Sequence, residues 1–470
     1  MKNLFALWAI LIWGTCLSAQ NLRITFQIQN LSDPTAIIGY YMGGKAFFLD
    51  SIPYQPGARQ YVLEKKVVKP GVYFFSKGSE RLFDFIVSGT EPDFQIEADA
   101  GNLDSLWSPD SPQNEALFRF EQARSQIEKA FEAKRTMLDM VAQATKNDEE
   151  AMKPIRADLD SLIMETEVLA IKYITMNPEH LYAKMLKSVR APEPPASIVP
   201  SLKNGSPNPA FSIWQRTHYW DNTDFNNEIL LRNTYWHLFF DNFFSQFVAV
   251  QPDSLINAID EVIAKTPPGG DFYRFIVLRI AQYYELNTAP GADRIFVHMV
   301  DKYMRKDRTP WLDMATLERL AYKADSHRPN ITGSMAVNFI LPDENGNPVE
   351  LYEIKAPITL LIFYSPLCSH CMEVMPNIYQ AFLDYQVKGL AAVALNTDEE
   401  SAYWKKFVAQ QNWIWYDVDD RNKMPEIENQ YNAFNLPVIY ILDKDKRILA
   451  KRVAPGALGD MLADFYAKMK

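Results

Sequence analysis

Cys368 and Cys371 stand three positions apart in the run Cys368-Ser369-His370-Cys371. On a helix that spacing puts two thiols one turn apart, within reach of each other. Such a pair does thiol–disulfide exchange, contributes half of a zinc site, or forms an inert staple. Zinc takes about four ligands, commonly from a second cysteine pair or spaced histidines. No second pair exists, and His180, His218, His237, His298 and His327 are scattered along the chain. A four-residue ring where a strand runs into a helix suits turnover better than a staple. Exchange is therefore the leading reading. The attacking species is a thiolate. Cys368 follows an apolar run and opens a helix, whose unpaired N–H groups and positive partial charge favour a thiolate. Cys368 is thus the nucleophile and Cys371 the thiol that resolves a mixed disulfide. Ser369 and His370 are the supporting pair between them. An imidazole at His370 favours the Cys368 thiolate, and so the reduced state, which makes the disulfide comparatively oxidising. The expected cofactor is none beyond the redox-active Cys368–Cys371 disulfide itself.

Such a site needs a buried strand before it and a helix behind it. From Gly333 onward strands and helices alternate. Segments 338–341 and 349–351 flank the hairpin turn Asn345-Gly346. Residues 359–364 read as a buried strand, followed by the cysteines and a helix to Tyr385. Strands follow at 390–395 and 413–416, with a helix at 401–411 between them. Segments 438–442 and 448–453 close as a hairpin, and 459–469 is a last helix. This order implies a central sheet with both faces covered.

Residues 333–470 resemble the thioredoxin superfamily. Pro376 falls five residues after the second cysteine, where that family's active-site helix is kinked. Leu436-Pro437-Val438 resembles its cis-proline loop, whose cis bond aims the preceding residue's backbone at the substrate disulfide. Val453-Ala454-Pro455-Gly456 resembles its glycine-containing segment near the site. Cys368 and Pro437 are 69 positions apart. The excess length around 397–428 is similar to that of TlpA/ResA-type exported thiol–disulfide oxidoreductases and of peroxiredoxin-like relatives. The resemblance implies a C-terminal α/β thioredoxin-like fold and partners that are protein disulfides, protein dithiols and a redox partner protein. There are two departures. Ile362 stands where thioredoxin carries a buried acid, so proton transfer to Cys371 needs another group or water. Leu367 replaces the usual aromatic before the first cysteine.

The rest of the chain sets the address and the scaffold. Lys2, the short apolar run 4–13 and Ala19 read as a signal peptide over 1–19, too short to span a bilayer comfortably. An uncleaved anchor is the alternative. A lipoprotein reading would acylate Cys16, but Trp13-Gly14-Thr15 is a poor lipobox. The expected location is the periplasm or cell envelope, with no transmembrane segment in the mature chain. Of three cysteines, only Cys368 and Cys371 then remain, which leaves no unpaired thiol in an oxidising compartment. With 48% hydrophobic residues and a net charge of −10, the chain is globular and has no basic run for nucleic acid.

Alternating apolar residues and Gly- or Pro-containing turns give an antiparallel β-sandwich over 20–105. A helical period runs through 106–332, with a Pro-rich loop at 191–209. The expected fold class is multidomain α+β: N-terminal β-sandwich, central α-helical region, C-terminal thioredoxin-like fold. The TlpA-like multidomain proteins carry similar appended modules. The aromatics between Tyr235 and Phe247 recur at helical spacing and read as helix core. Three functions are in view. A secreted thiol–disulfide oxidoreductase comes first. A thiol peroxidase fits Ser365-Pro366-Leu367-Cys368, although Leu361 stands where the expected proline would be. An envelope binding protein with a subsidiary redox domain is the third.

Overall fold

The computed structural model describes residues 22–66, 68–89, 91–201, 205–287, 289–398 and 401–469. The signal peptide read at 1–19, with Cys16, lies outside them. The chain forms two compact units that divide between Phe247 and Val248.

The first unit opens with eight strands: β1 (Leu22–Gln29), β2 (Thr35–Met42), β3 (Lys45–Gln55), β4 (Gln60–Lys65), β5 (Gly71–Lys77), β6 (Glu80–Val87), β7 (Phe94–Asp99) and β8 (Asn102–Trp107). They hydrogen-bond in the order β6-β5-β2-β3-β4-β1-β7-β8. Strand β3 serves both halves. Its first part pairs with β2, and Tyr54 and Gln55 pair with β4. The halves pack through inward aromatics. Phe26 of β1 lies 5.0 Å from Phe75 of β5 and 5.4 Å from Phe85 of β6 between ring centroids. This is the expected sandwich, with one departure from antiparallel pairing: β1 and β7 run parallel, Ile24 opposite Phe94. The β5–β6 hairpin of the other half separates β7 from β4 in sequence. The chain therefore returns to β1 by a crossover, which permits parallel pairing.

Five helices follow: α1 (Pro112–Thr145), α2 (Glu149–Met176), α3 (Leu181–Ser188), α4 (Pro209–His218) and α5 (Trp236–Phe247). Ser111 caps α1. The buried Asn114 docks α1 on β6, its amide donating to the Ile86 carbonyl at 2.9 Å and accepting from Ile86 N at 2.7 Å. Helices α1 and α2 form a hairpin that turns at Lys146 and Asn147, both at positive φ. All of the buried residues of α1 lie at or before Phe120, whereas α2 buries Met152, Ile155, Ala170 and Tyr173. The aromatics of α5 pack as core, with Phe243 4.9 Å from Trp220 between ring centroids.

The second unit starts with α6 (Pro252–Ala264), α7 (Asp271–Leu286), α8 (Ala292–Lys302) and α9 (Met314–His327). A mixed layer follows: β9 (Ile340–Pro342), β10 (Pro348–Glu350), β11 (Ile358–Tyr364), α10 (Ser369–Gln386), β12 (Ala391–Asn396), α11 (Ser401–Gln411), β13 (Tyr416–Val418), α12 (Met424–Tyr431), β14 (Val438–Asp443), β15 (Ile448–Lys451) and α13 (Leu458–Lys468). The sheet order is β13-β12-β11-β14-β15. Every residue of the central β11 is buried, because helices cover both faces. Alternate residues feed two cores. Leu361 and Phe363 face one, while Leu360, Ile362 and Tyr364 face the other with Cys371 and α10. The short strand expected at 413–416 falls at Tyr416–Val418. Trp413 and Trp415 pack beside Tyr379 of α10, and pairing begins only at Tyr416 opposite Val393.

A buried ion pair joins the helical arm of this unit to its sheet. Lys451 Nζ lies 2.7 Å from Asp293 Oδ2 and also donates to Asn330 Oδ1 at 2.9 Å. Among the described residues no helix is long and apolar enough to cross a membrane.

Candidate active site

Strand β11 delivers the chain to the site and α10 leads away from it. Cys368 is the N-cap of α10, in extended conformation, and its Sγ accepts the Cys371 N–H at 3.3 Å. A cap that accepts an orphan N–H of the first turn favours negative charge on the accepting atom. The approach loop is fixed by Cys368 N donating to the Ser365 carbonyl at 3.1 Å and by Leu367 N donating to Ser365 Oγ at 3.1 Å. Leu367 N also lies 3.3 Å from Asp398 Oδ2.

The two cysteines are both free thiols but differ in setting. Cys368 is half-buried and Cys371 fully buried. Burial, with the Cys368 sulfur beside it, pushes the Cys371 thiol up to about 12. Ser369 and His370 are exposed. His370 Nδ1 lies 3.7 Å from the exposed Glu373 carboxylate. Pro376 sits inside α10. The Leu436–Pro437 peptide is cis. Leu436 packs against both cores, including the one that holds Cys371. Leu367 and Phe434 present exposed apolar side chains. Among the described residues no group of three or more His, Cys, Asp or Glu is placed to hold a metal ion.

One buried acid escaped the sequence reading. Asp417 of β13 lies in the same row as Ile362, through the register Ile362↔Ala394↔Asp417. Its Oδ1 accepts from Tyr364 Oη at 3.1 Å and its Oδ2 from Trp415 Nε1 at 3.0 Å. Tyr364 Oη accepts in turn from Trp404 Nε1 at 3.1 Å. Burial pushes the Asp417 carboxyl up to about 7, and Glu344 adds to the effect. The alternation Trp413, Trp415, Asp417 was the available signal, since it puts the acid on the inward face.

That raised value has a stability consequence. The folded protein holds this proton more tightly than the unfolded chain does. The contribution is therefore complete below the ordinary carboxylate range and is lost as pH rises to about 7. Across that window it amounts to at most about 4 kcal/mol. Urea denaturation from pH 4 to pH 8 should show wild type losing stability relative to Asp417→Asn as pH rises. Parallel curves would refute the assignment.

The chain is similar to several known proteins over this region. A family model described as thioredoxin-like matches residues 357–448. Thiol-disulfide oxidoreductase ResA of a Bacillus cereus strain is 30% identical over 128 residues, spanning 27% of this chain and 72% of that protein. Among solved structures, a thioredoxin-like protein from Bacteroides caccae is 20% identical with a TM-score of 0.42, covering 58% of this chain and 98% of that one. A thiol:disulfide interchange protein from Bacteroides sp. is 25% identical with a TM-score of 0.28, covering 29% and 91% respectively.

Proposed function

Because the chain belongs to the thioredoxin superfamily of thiol–disulfide oxidoreductases, we propose that it is an exported enzyme exchanging disulfides with protein partners through Cys368-Ser369-His370-Cys371. The observation that carries this reading is the asymmetry of the pair: a half-buried Cys368 capping α10, and a buried Cys371 one turn behind it.

In the reducing direction the Cys368 thiolate attacks one sulfur of a client disulfide. The other client sulfur leaves as a thiolate and takes a proton. Cys371 gives up its proton and attacks Cys368 Sγ, and the second client sulfur leaves. The client gains two electrons and two protons, and the enzyme ends as the Cys368–Cys371 disulfide. The reverse sequence oxidises a client dithiol. The Leu436–Pro437 loop is the proposed docking edge for the client backbone. We read 333–470 as the redox domain and 20–105 and 106–332 as appended modules. The leader read at 1–19 supports a place in the periplasm or cell envelope.

Equilibration of the full chain with glutathione buffers of graded ratio tests the reading. A Cys368–Cys371 disulfide should form and break across the series. A pair that never changes state would overturn it.

The same titration measures His370. A helix-end charge effect of ~1 kcal/mol corresponds to roughly 20 mV for a two-electron couple. His370→Ala should therefore make the potential more negative by no more than that, because Glu373 already offsets an imidazolium there. A shift of opposite sign would show that His370 does not favour the reduced pair.

A further inference from the structure

The second unit holds a cavity that the thiol chemistry does not use. It has a volume of about 430 Å³ and opens where α7 and α9 meet the end of β15. Its wall includes Glu285, Asp293, Lys323, His327, Asn432 and Arg452, with Lys451 beneath.

Its carboxylates are already taken. Asp293 Oδ2 holds Lys451 and accepts the Thr332 N–H at 3.0 Å. Glu285 holds Arg319 and lies 3.7 Å from Lys323. The donors are not used up. Arg452 spends one N–H on the Asn432 carbonyl at 2.5 Å, and its other guanidinium donors have no partner among the described residues. The Asn432 side-chain amide has no partner among the described residues either. Burial is the main cause that pushes His327 down to about 4, so its ring is neutral. Its Nδ1 faces the Lys451 ammonium at 3.3 Å and must accept there, which leaves the proton on Nε2 as a further donor. Thr332 Oγ1 is buried without a partner. Three cations and two anions line the space, and the surplus is all on the donor side.

We propose that this cavity binds a carboxylate, held by the free face of Arg452 with His327 Nε2 and the Asn432 amide. A planar guanidinium with four N–H groups to spare can offer a parallel pair of them, which suits a planar carboxylate better than any other small anion shape. The site is linked to the proposed docking edge through short stretches of chain. Asn432 ends α12 five residues before Pro437. Val453, next to Arg452, donates to the Ile439 carbonyl at 3.2 Å and packs in the core that contains Cys371. The carboxylate is thus assigned to the substrate of Cys368, a step that rests on the redox reading, whereas binding itself does not. Its source is a free small carboxylate or an acidic side chain of a client.

Calorimetry on the full chain tests this with four probes: glutarate, uncharged glutaramide, and blocked tetraglutamate and tetraglutamine peptides. Glutarate or tetraglutamate should bind, and the uncharged probes should not. Arg452→Gln should weaken binding at least about tenfold, while Arg452→Lys should keep part of it. Lys323→Gln, which removes one of the three cations lining the space and leaves the Asn432 contact intact, should weaken it too by lowering the positive field, so a folding defect in the Arg452 variants does not decide the matter. Binding of glutarate identifies a free carboxylate; binding of the peptide alone identifies a client side chain. No binding of either acid, or equal binding by all variants, overturns the proposal. A redox titration in dithiothreitol buffers, which carry no carboxylate, reports on the cysteine pair alone, so the two failures are distinguishable.

Discussion

Cys371→Ser is expected to accumulate mixed disulfides between Cys368 and client proteins, and Cys368→Ser to accumulate none. The asymmetry follows from the two settings. Cys368 caps a helix and is partly open, so it can reach a client sulfur. Cys371 is buried, and burial beside the Cys368 sulfur raises its thiol well above the ordinary range, so it stays protonated at pH 7. On the proposed reading it does not start the reaction and acts only once a mixed disulfide is in place beside it. Without Cys371 the second displacement has no attacking group, and the covalent complex persists. Either substitution should lower steady-state exchange by at least about three orders of magnitude, since the pair acts as a unit. Non-reducing gels of cells expressing each variant read the trapped species. Brief alkylation of the reduced protein with peptide mapping is the companion measurement. Labelling of Cys371 ahead of Cys368 would reverse the assigned roles.

The second large effect is on stability. Asp293→Ala should destabilise the second unit by about 3–5 kcal/mol, because it strands the Lys451 ammonium in the interior. The two side chains, Lys451 and Asp293, are only 9% and 8% exposed, so the ammonium left behind keeps mainly the neutral acceptors Asn330 and His327. Burial already holds the Lys451 ammonium below the ordinary lysine range despite Asp293, which shows how costly its charge is at that place. Replacing both partners, Asp293→Leu with Lys451→Met, should restore most of the loss, since an apolar pair needs no solvation. Urea midpoints of the two single variants and the double variant form a cycle. Equal destabilisation by the single and double changes would mean that the pair contributes through packing rather than charge.

The site was legible where its signals are local. Cys368, Cys371, Pro376 and the strand before them follow one another in sequence, and the hairpin at Asn345-Gly346 announces itself by turn chemistry. Helix α12 was missed although Met424, Ile427 and Tyr431 bury one helical face, because eight residues give little periodicity to read. Asp417 was missed for a different reason. It stands two strands away from the Ile362 position where an acid was sought, and only the register of β11, β12 and β13 brings them into one row. The parallel β1–β7 pair and the Asp293–Lys451 contact join residues far apart in the chain. No local pattern encodes them.

The long hairpin of α1 and α2 has a kinetic consequence. Past Phe120 none of the residues of α1 is fully buried, and the far part of α2 is anchored by Met152 and Ile155. Amide hydrogens there are guarded by helix–helix contact rather than by a core. They should trade with deuterium through local opening, whereas those flanking Asn114 wait for larger unfolding. Protection along α1 therefore falls from its capped start towards Thr145. The hairpin is thus expected to open in a graded way, fast at its turn and slow where Asn114 grips β6.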